Sequence, residues 1–527
     1  MEKSRSKKIE NLSSFEEKAA DSLFKQLDKN EKGYVNPETI WRKLENMGIL
    51  EDDIRLNEFR TTLENSVTEK GIDKKLFLKL GKQDNLVRRA LYRDLIIPDF
   101  KDFCKEIIKI YHEVEVNKKG EIADYIPQLA RVNPEHFALS ICTVDGQRFS
   151  IGDSKDNFCV QSTCKPINYC IAMEELGEET VHRHIGREPS GRSFNELSLN
   201  HKGLPHNPMI NAGAIMACSL IKRNSAIADR FEHISSIWKH LCGGRNVHFN
   251  NSVYLSERQT ADRNFALAYF MRENKAFMPK TDITETLEFY FQCCSIESCT
   301  ENLSIAAATF ANSGINPLTG EAIFNENTVR HCMSLMSSCG MYDFSGEFAF
   351  RVGVPAKSGV SGSLLVVIPN VMGISIWSPR LDKMGNSVRG VEFCKKLIDK
   401  FNFHMYDSLM EQTSKKDPRK RKHESKVNKL INLIYAAGYG DLNELQRLEA
   451  EGMSLNSSDY DGRTALHLAA SENQVEIVKY LLDKGVKHDL KDRWGNTPLN
   501  DAIRGDNKEI VKILEEEMVL KDKKKMK

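Results

Sequence analysis

Ser162 lies three residues ahead of Lys165 in the segment Val160-Gln-Ser-Thr-Cys-Lys-Pro-Ile-Asn-Tyr. Pro166 is tolerated only in the first turn of a helix, where its missing N–H costs little. The segment therefore predicts a helix beginning beside Ser162, with Ser162 and Lys165 on one face. A serine hydroxyl is a poor nucleophile until a neighbouring base takes its proton. A desolvated lysine can do this, because burial disfavours its charged form. The free N–H groups of a helix start can also hold an anionic oxygen. Together these groups make an acyl-transfer device. Spacing alone does not decide the matter, since Ser4/Lys7, Ser22/Lys25, Ser219/Lys222 and Ser236/Lys239 repeat it with no sign of chemistry.

A second block, Pro355-Ala-Lys-Ser-Gly-Val-Ser-Gly-Ser-Leu-Leu-Val-Val, supplies context. Lys357-Ser358-Gly359 running into a strand resembles the K-[ST]-G element of serine β-lactamases and penicillin-binding proteins. In that arrangement a strand edge faces the nucleophile, and a backbone N–H joins the oxyanion hole. The donors here would be the N–H groups of Val360 and Ser162. Without Ser162, a Gly-rich turn before a core strand is the plainer reading.

The elements that must position these groups belong to a chain with several cores. Its 527 residues exceed what one hydrophobic core usually organises. Residues 100–405 read as the large domain. Strands are expected at Ala138–Thr143, Ser363–Ile368 and Val371–Trp377. Helices are expected at Pro166–Leu176, Ala212–Lys222, Thr284–Cys293 and Ile305–Ala311. That mixture is an α/β or α+β pattern. The first 99 residues read as amphipathic helices at Phe15–Leu27, Pro37–Met47 and Ile54–Leu63. Residues 28–39 between the first two match part of a calcium-binding EF-hand loop, with Asp28, Asn30 and Gly33 in register. Lys32 puts a cation where an oxygen ligand belongs, and Thr39 replaces the bidentate Glu that closes the cage. A helix-loop-helix unit without calcium is expected, and no metal site is assigned.

Towards the C-terminus, Asp461-Gly-Arg-Thr-Ala-Leu-His-Leu-Ala-Ala is echoed by Trp494-Gly-Asn-Thr-Pro-Leu-Asn-Asp-Ala-Ile. Thr464 matches Thr497, Leu466 matches Leu499, Ala469 matches Ala502 and Ile477 matches Ile510, each at a step of 33 residues. This period, with these helix starts, resembles the ankyrin repeat. Two good copies and one degenerate copy fill residues 428–517 as an all-α module, whose protein partner stays open. Residues 518–527 form a basic tail. Between Ser414 and Val427 stand seven Lys or Arg against one Asp and one Glu, a net of +5. A nuclear-localisation reading is available, but a solvated basic linker over 406–427 is the plainer one.

Composition excludes several roles. The 75 basic and 74 acidic residues give a net charge of +1, which argues against coating nucleic acid. No stretch reaches the roughly 20 apolar residues of a membrane helix. The 13 cysteines lack paired C-x-x-C spacing and read as reduced, mostly buried thiols in an intracellular compartment. The N-terminus has no signal-peptide hydrophobic region, and Glu2 and Glu10 stand against a mitochondrial transit peptide.

Residues 120–403 closely resemble the glutaminase family. The segments that carry this are Ala123-Asp-Tyr-Ile-Pro-Gln-Leu, Cys142-Thr-Val-Asp-Gly-Gln, Gln161-Ser-Thr-Cys-Lys-Pro and His206-Asn-Pro-Met-Ile-Asn-Ala-Gly-Ala. They continue with Ser256-Glu-Arg, Asp262-Arg-Asn, Ser338-Cys-Gly-Met-Tyr-Asp-Phe-Ser-Gly and Pro355-Ala-Lys-Ser-Gly-Val. The EF-hand-like start and terminal ankyrin repeats resemble the layout of animal phosphate-activated (kidney/liver-type) glutaminases. The resemblance implies a serine β-lactamase/transpeptidase-like catalytic domain that hydrolyses L-glutamine to L-glutamate and ammonia. It implies Ser162 as nucleophile, with Lys165 and Tyr342 as acid/base partners. Tyr125, Gln161, Asn211, Glu257, Asn264, Tyr290 and Val360 would complete the glutamine site with Ser162 and Tyr342. Chemistry agrees, because glutamine's α-ammonium needs an anion such as Glu257, and its carboxylate and amide need donors such as Asn211 and Asn264.

The resemblance further implies no metal or organic cofactor, activation by inorganic phosphate, and a homo-oligomer, dimer or tetramer. It points to the mitochondrion, with the cytoplasm as the alternative because no transit peptide is evident. Ser198 stands where the family's subunit-contact loop usually carries an aromatic, which removes an apolar interface anchor. Three rivals remain. A β-lactam hydrolase on the same scaffold is opposed by the glutamine-pocket residues. A catalytically dead ankyrin scaffold is opposed by Ser162, Lys165 and Tyr342. A cysteine amidotransferase is opposed by the lack of a G-x-C-x-G nucleophile turn.

Overall fold

The computed structural model describes residues 23–25, 27, 28, 32–68, 70–191, 196–407, 415–420, 424–450 and 453–525. They form two compact units, divided between Arg419 and Lys420.

In the first unit three mainly apolar segments and two more polar ones form a five-stranded antiparallel sheet. Its strands are β1 (Ala138–Thr143), β2 (Arg148–Gly152), β3 (Ala356–Ser358), β4 (Ser363–Ile368) and β5 (Met372–Trp377). The order across the sheet is β2-β1-β5-β4-β3. β1, β4 and β5 are buried on both faces, which is why their sequences are mainly apolar and carry only small buried polar residues such as Ser140, Ser363 and Ser375. On β4, Leu365 and Val367 enter one core, while Leu364, Val366 and Ile368 enter the other.

Helices cover both faces. The unit contains α1 (Phe100–Glu115), α2 (Lys165–Val181), α3 (Asn211–Leu220), α4 (Asn251–Gln259), α5 (Asp262–Glu273), α6 (Ile283–Cys294), α7 (Thr300–Ala311) and α8 (Val388–Lys400), among others. α1 and α8 share a core with Leu364, Val366 and Ile374 through Phe103, Ile107, Phe393 and Leu397. α7 lies on the opposite face and comes very close. A Cβ on Gly373 of β5 would sit 2.1 Å from the Ala308 nitrogen. Gly373 and the Ala306-Ala307-Ala308 run are therefore the small residues that let backbone meet backbone. Edge strand β3, beside β4, carries Lys357 and Ser358 toward the site.

The N-terminal segment is helical, as expected. Pro37–Asn46 is capped by Asn36, whose Oδ1 accepts from the Glu38 N–H at 2.9 Å. The expected Ile54–Leu63 helix is a 3-10 turn, Ile54–Leu56, followed by a helix over Asn57–Ser66. Two-residue strands Tyr34–Val35 and Ile72–Asp73 pair antiparallel. The expected Phe15–Leu27 helix lies mostly outside the described residues. Asp28 spends its carboxylate on the loop itself, accepting from the N–H groups of Lys32 at 3.0 Å and Gly33 at 2.6 Å. This module seats on the turn between β1 and β2. Gln147 Nε2 donates to the carbonyls of Met47 at 2.9 Å and Ile97 at 3.0 Å. Arg55 donates to the Asp145 carbonyl at 2.8 Å, and Arg148 to Asp52 at 2.6 Å.

Two charged segments differ from expectation. Part of the basic stretch read as a solvated linker is tied to the first unit. Lys416 pairs with Glu106 at 2.9 Å, Lys415 with Asp407 at 2.9 Å, and Lys416 bridges Phe401 through its backbone. The Glu106 partner comes from distant sequence, so local charge counting could not find it. The expected end of the repeats at 517 is also passed, since the last helix runs over Lys508–Lys525. Its Lys, Glu, Met and Leu content favours helix even without packing.

The second unit is three helix pairs: Glu424–Tyr439 with Leu442–Ala450, Ala465–Ser471 with Val475–Asp483, and Pro498–Arg504 with Lys508–Lys525. Leu433, Leu466, Ile477, Leu481, Ala502 and Ile510 lie in one continuous core. The 33-residue echoes Thr464 and Thr497 are equivalent N-caps, each closing a capping box, with His467 and Asn500 respectively. All 13 cysteines of the chain are free thiols, and only Cys299 is not buried. No helix among the described residues is long and apolar enough to cross a membrane.

Candidate active site

Ser162 sits in a 3-10 turn, Gln161–Cys164, immediately before α2. The α-helix proper thus starts at Lys165, one residue before the expected Pro166, and the 3-10 turn carries Ser162 just ahead of it. Pro166 is in its first turn as expected. The turn is held from behind by the Val160 carbonyl, which accepts from Thr163 N–H at 3.0 Å and Thr163 Oγ1 at 2.6 Å. Gln161 has φ +48° and Tyr342 φ +53°. Left-handed backbone at non-glycine residues stores about 1–3 kcal/mol each, and such strain collects at functional sites.

Tyr342 is brought in by Gly340, whose added Cβ would lie 1.8 Å from the Ala356 carbonyl oxygen. No other residue lets the chain pass so close to β3. The Tyr342 hydroxyl donates to the Ser358 carbonyl at 3.1 Å. Burial raises the phenol well above its ordinary range, and a hydrogen bond with Ser162 pulls it partly back. That bond joins the expected nucleophile to the tyrosine.

Lys165 and Lys357 are both fully enclosed, at 1% and 0% exposure. Lys165 donates to Asn211 Oδ1 at 2.6 Å. Burial lowers its ammonium to about 8, opposed by Cys294, Cys164 and the Glu257 carboxylate among its neighbours. Lys357 donates to the carbonyls of Ser358 at 2.7 Å and Gly340 at 3.2 Å, and lies 4.5 Å from the centre of the Tyr342 ring. It is pushed well below the ordinary lysine range, first by burial and then by the Lys165 charge. Two cations in one dry pocket cannot both keep their protons cheaply, so a neutral amine is available near Ser162.

The remaining expected residues converge in two connected groups. Glu257 on α4 accepts through Oε1 from the Tyr125 hydroxyl at 2.6 Å and from Gln161 Nε2 at 3.0 Å. Burial raises the carboxyl, and those two bonds partly reverse the shift. The Tyr125 ring remains exposed at its rim while its hydroxyl reaches inward. Asn211 opens α3 and is a hub: its Oδ1 also faces the Tyr290 hydroxyl at 3.4 Å, and its Nδ2 donates to Asn264 Oδ1 on α5 at 3.3 Å. Val360 follows β3 and packs with Ile126, beside Tyr125, and with Cys159 and Val253. A cleft of about 560 Å³ reaches the site at Tyr342, which walls it together with Asn207, Met209, Ser338 and Ser345 among others. A larger cavity of about 950 Å³ lies at the N-terminal module, lined by Asp28, Lys32, Arg42, Lys43 and Lys70, and holds none of the acyl-transfer groups.

Two participants are not apparent as site residues from sequence. Lys357 stands out there only as part of a motif, because its burial depends on β3 meeting Gly340. Cys294 is buried beside Tyr290, Cys164 and Lys165, and its thiol is raised well above the ordinary range by its contact with Cys164 and by burial. Its place one helical turn after Tyr290 on α6 is the signal that could have found it.

The sequence matches the glutaminase family over residues 120–406, ankyrin repeats in three copies over 433–524, and an EF-hand domain over 19–98. It is 44% identical over 475 residues to a mouse protein named glutaminase liver isoform, mitochondrial, covering 89% of this chain and 79% of that one. The chain belongs to the glutaminase family. It hydrolyses L-glutamine to L-glutamate and ammonia. This glutaminase is also 45% identical over 515 residues to putative glutaminase 2 of Caenorhabditis elegans, covering 94% of this chain and 84% of the other. A solved structure described as a probable glutaminase aligns with TM-score 0.53 at 35% identity, covering 57% of this chain and 97% of that one. The glutaminase domain thus has the serine β-lactamase-like fold, with the EF-hand domain before it and the ankyrin repeats after it.

Proposed function

We propose that hydrolysis runs through a γ-glutamyl ester on Ser162, with Lys165 and Tyr342 moving the protons. Neutral Lys165 takes the Ser162 proton, relayed through the Tyr342 hydroxyl, as Oγ bonds to the side-chain amide carbon. Negative charge on the amide oxygen is met by the N–H groups of Ser162 and Val360. The proton then passes to the leaving nitrogen, the C–N bond breaks, and ammonia departs. Water, deprotonated by the same groups, adds to the ester and releases glutamate and the free hydroxyl. Glu257, held by Tyr125 and Gln161, takes the α-ammonium. Asn211, Asn264 and Tyr290 orient the rest of the substrate. The observation that carries this reading is the enclosure of two lysines at the site, Lys165 three residues after Ser162 and Lys357 4.5 Å from the centre of the Tyr342 ring.

The same reading needs no metal or organic cofactor and takes inorganic phosphate as activator. It gives a homo-oligomer, dimer or tetramer, with Ser198 altering the higher contact, and a protein ligand for the ankyrin repeats. The mitochondrial names of the mouse and rat relatives support a mitochondrial location. Adding hydroxylamine to the reaction tests the mechanism. An ester intermediate partitions to γ-glutamyl hydroxamate with native protein and to none with Ser162→Ala. Hydroxamate formation at undiminished rate by Ser162→Ala would overturn it.

A further inference from the structure

Away from the catalytic pocket, His136, Asp153 and Asp156 bring three donor atoms within 4.8 Å of one another. His136 immediately precedes the strand region that becomes β1, and the two aspartates lie in the loop that follows β2. Strand pairing across β1 and β2 matches Ala138 with Gly152, so folding the sheet necessarily draws these segments together.

We propose that these three side chains form a binding site for a borderline divalent transition ion of the Zn²⁺ type. His136 Nδ1 lies 3.1 Å from Asp153 Oδ2 and 3.6 Å from Asp156 Oδ2. Two ligand atoms each about 2.0–2.2 Å from a tetrahedral zinc stand about 3.4 Å apart. The observed separations fall on either side of that value, so small side-chain shifts complete the three-ligand set. A water would fill the fourth position. The mixed donor set of one imidazole nitrogen and two carboxylate oxygens suits such an ion better than Mg²⁺ or Ca²⁺, which prefer oxygen alone.

The donors are also fixed by their surroundings. Asp153 Oδ2, the oxygen that faces His136, accepts from the Phe137 N–H at 2.9 Å. The His136 ring stacks on Trp377 at 4.9 Å between centroids, and Phe158 stacks on Trp377 at 4.9 Å from its own centroid. Arg389 donates to the backbone carbonyls of Glu135 at 3.2 Å and His136 at 3.4 Å, fixing the main chain. A bound ion would clip the loop after β2 to the start of β1.

The test uses the full chain, stripped with a chelator and titrated with Zn²⁺ against a chromophoric competitor. His136→Phe removes the nitrogen ligand and keeps a ring to stack on Trp377. Asp156→Asn removes an exposed carboxylate at constant shape. Losing even an outer-sphere partner of a metal weakens binding about 10–100-fold, so each variant should lose one class of site or weaken it at least about 10-fold. Zn²⁺ should also raise the melting midpoint of the native chain and leave both variants unmoved, with all three melting alike in the metal-free state. Identical titrations for native and variant chains, or no uptake by the native chain, would overturn the proposal.

Discussion

Around Ser162 and in the ankyrin unit the chain buries polar side chains to opposite effect. In the repeats, Thr464 N–H donates to His467 Nδ1 at 3.1 Å, and the other ring nitrogen of His467 meets the Asn496 carbonyl at 3.2 Å. Both ring nitrogens find local partners, and Thr464 keeps ordinary extended backbone. In the catalytic pocket two lysines are sealed in without a paired carboxylate among the described residues, and Gln161 and Tyr342 hold left-handed backbone. The contrast separates polar groups that define a fold from polar groups kept reactive at the expense of one.

Ser162→Ala should break the catalytic side most sharply. Ammonia release should fall by at least about 10³-fold, as for other nucleophile deletions, while circular dichroism and the melting curve stay native. Next, Tyr342→Phe should lower kcat by about 10²–10⁴-fold. Lys165 should impose a rising limb on the pH profile that this variant keeps. If its neutral form is the base, kcat/KM should climb with pH up to about 8 and level off above. Glu257→Gln should act mainly on KM for glutamine, by about 10–100-fold, since it removes a charge-assisted bond worth about 1.5–3 kcal/mol. A Glu257→Gln variant with native KM would show that the ammonium is bound elsewhere.

The ankyrin side should respond in stability alone. Thr464→Ala should cost its unit about 1 kcal/mol, read as lost amide protection over residues 465–471, with ammonia release unchanged. His467 is the acid-sensitive partner there. Burial depresses its protonation below the ordinary histidine range. The unfolded chain therefore binds the proton more readily, so this contribution is complete above about pH 6.5 and is lost as pH falls through the folded value. His467→Gln should flatten that acid-side decline.

Both regions were legible from sequence for different reasons. The repeats came from a period, though not the end of the last helix at Lys525, and Thr464 and Thr497 fell at equivalent caps because capping is a local property. β1 and β4 were bounded to the residue because a doubly buried strand is mainly apolar, with only small buried hydroxyls such as Ser140 inside it. The pocket was legible through motif order, and its residues do converge. The sequence could not show that Asn211 is a hub for Lys165, Tyr290 and Asn264, nor that Lys357 is sealed beneath Tyr342. Those facts depend on packing between segments far apart in the chain. Lys416 misled for the same reason, since Glu106 is remote in sequence.

The seat of the N-terminal module on the turn after β1 has a cost that appears only on cleavage. A protease nick that released residues 23–99 would strip Gln147 Nε2 of both its acceptors and Arg148 of Asp52. Each buried donor so orphaned costs about 1–3 kcal/mol, and the newly bared turn borders edge strand β2 of the sheet. The N-terminal module thereby acts as a chock under the hydrolase through Met47, Asp52 and Ile97, and the clipped remnant should be the aggregation-prone form of this enzyme.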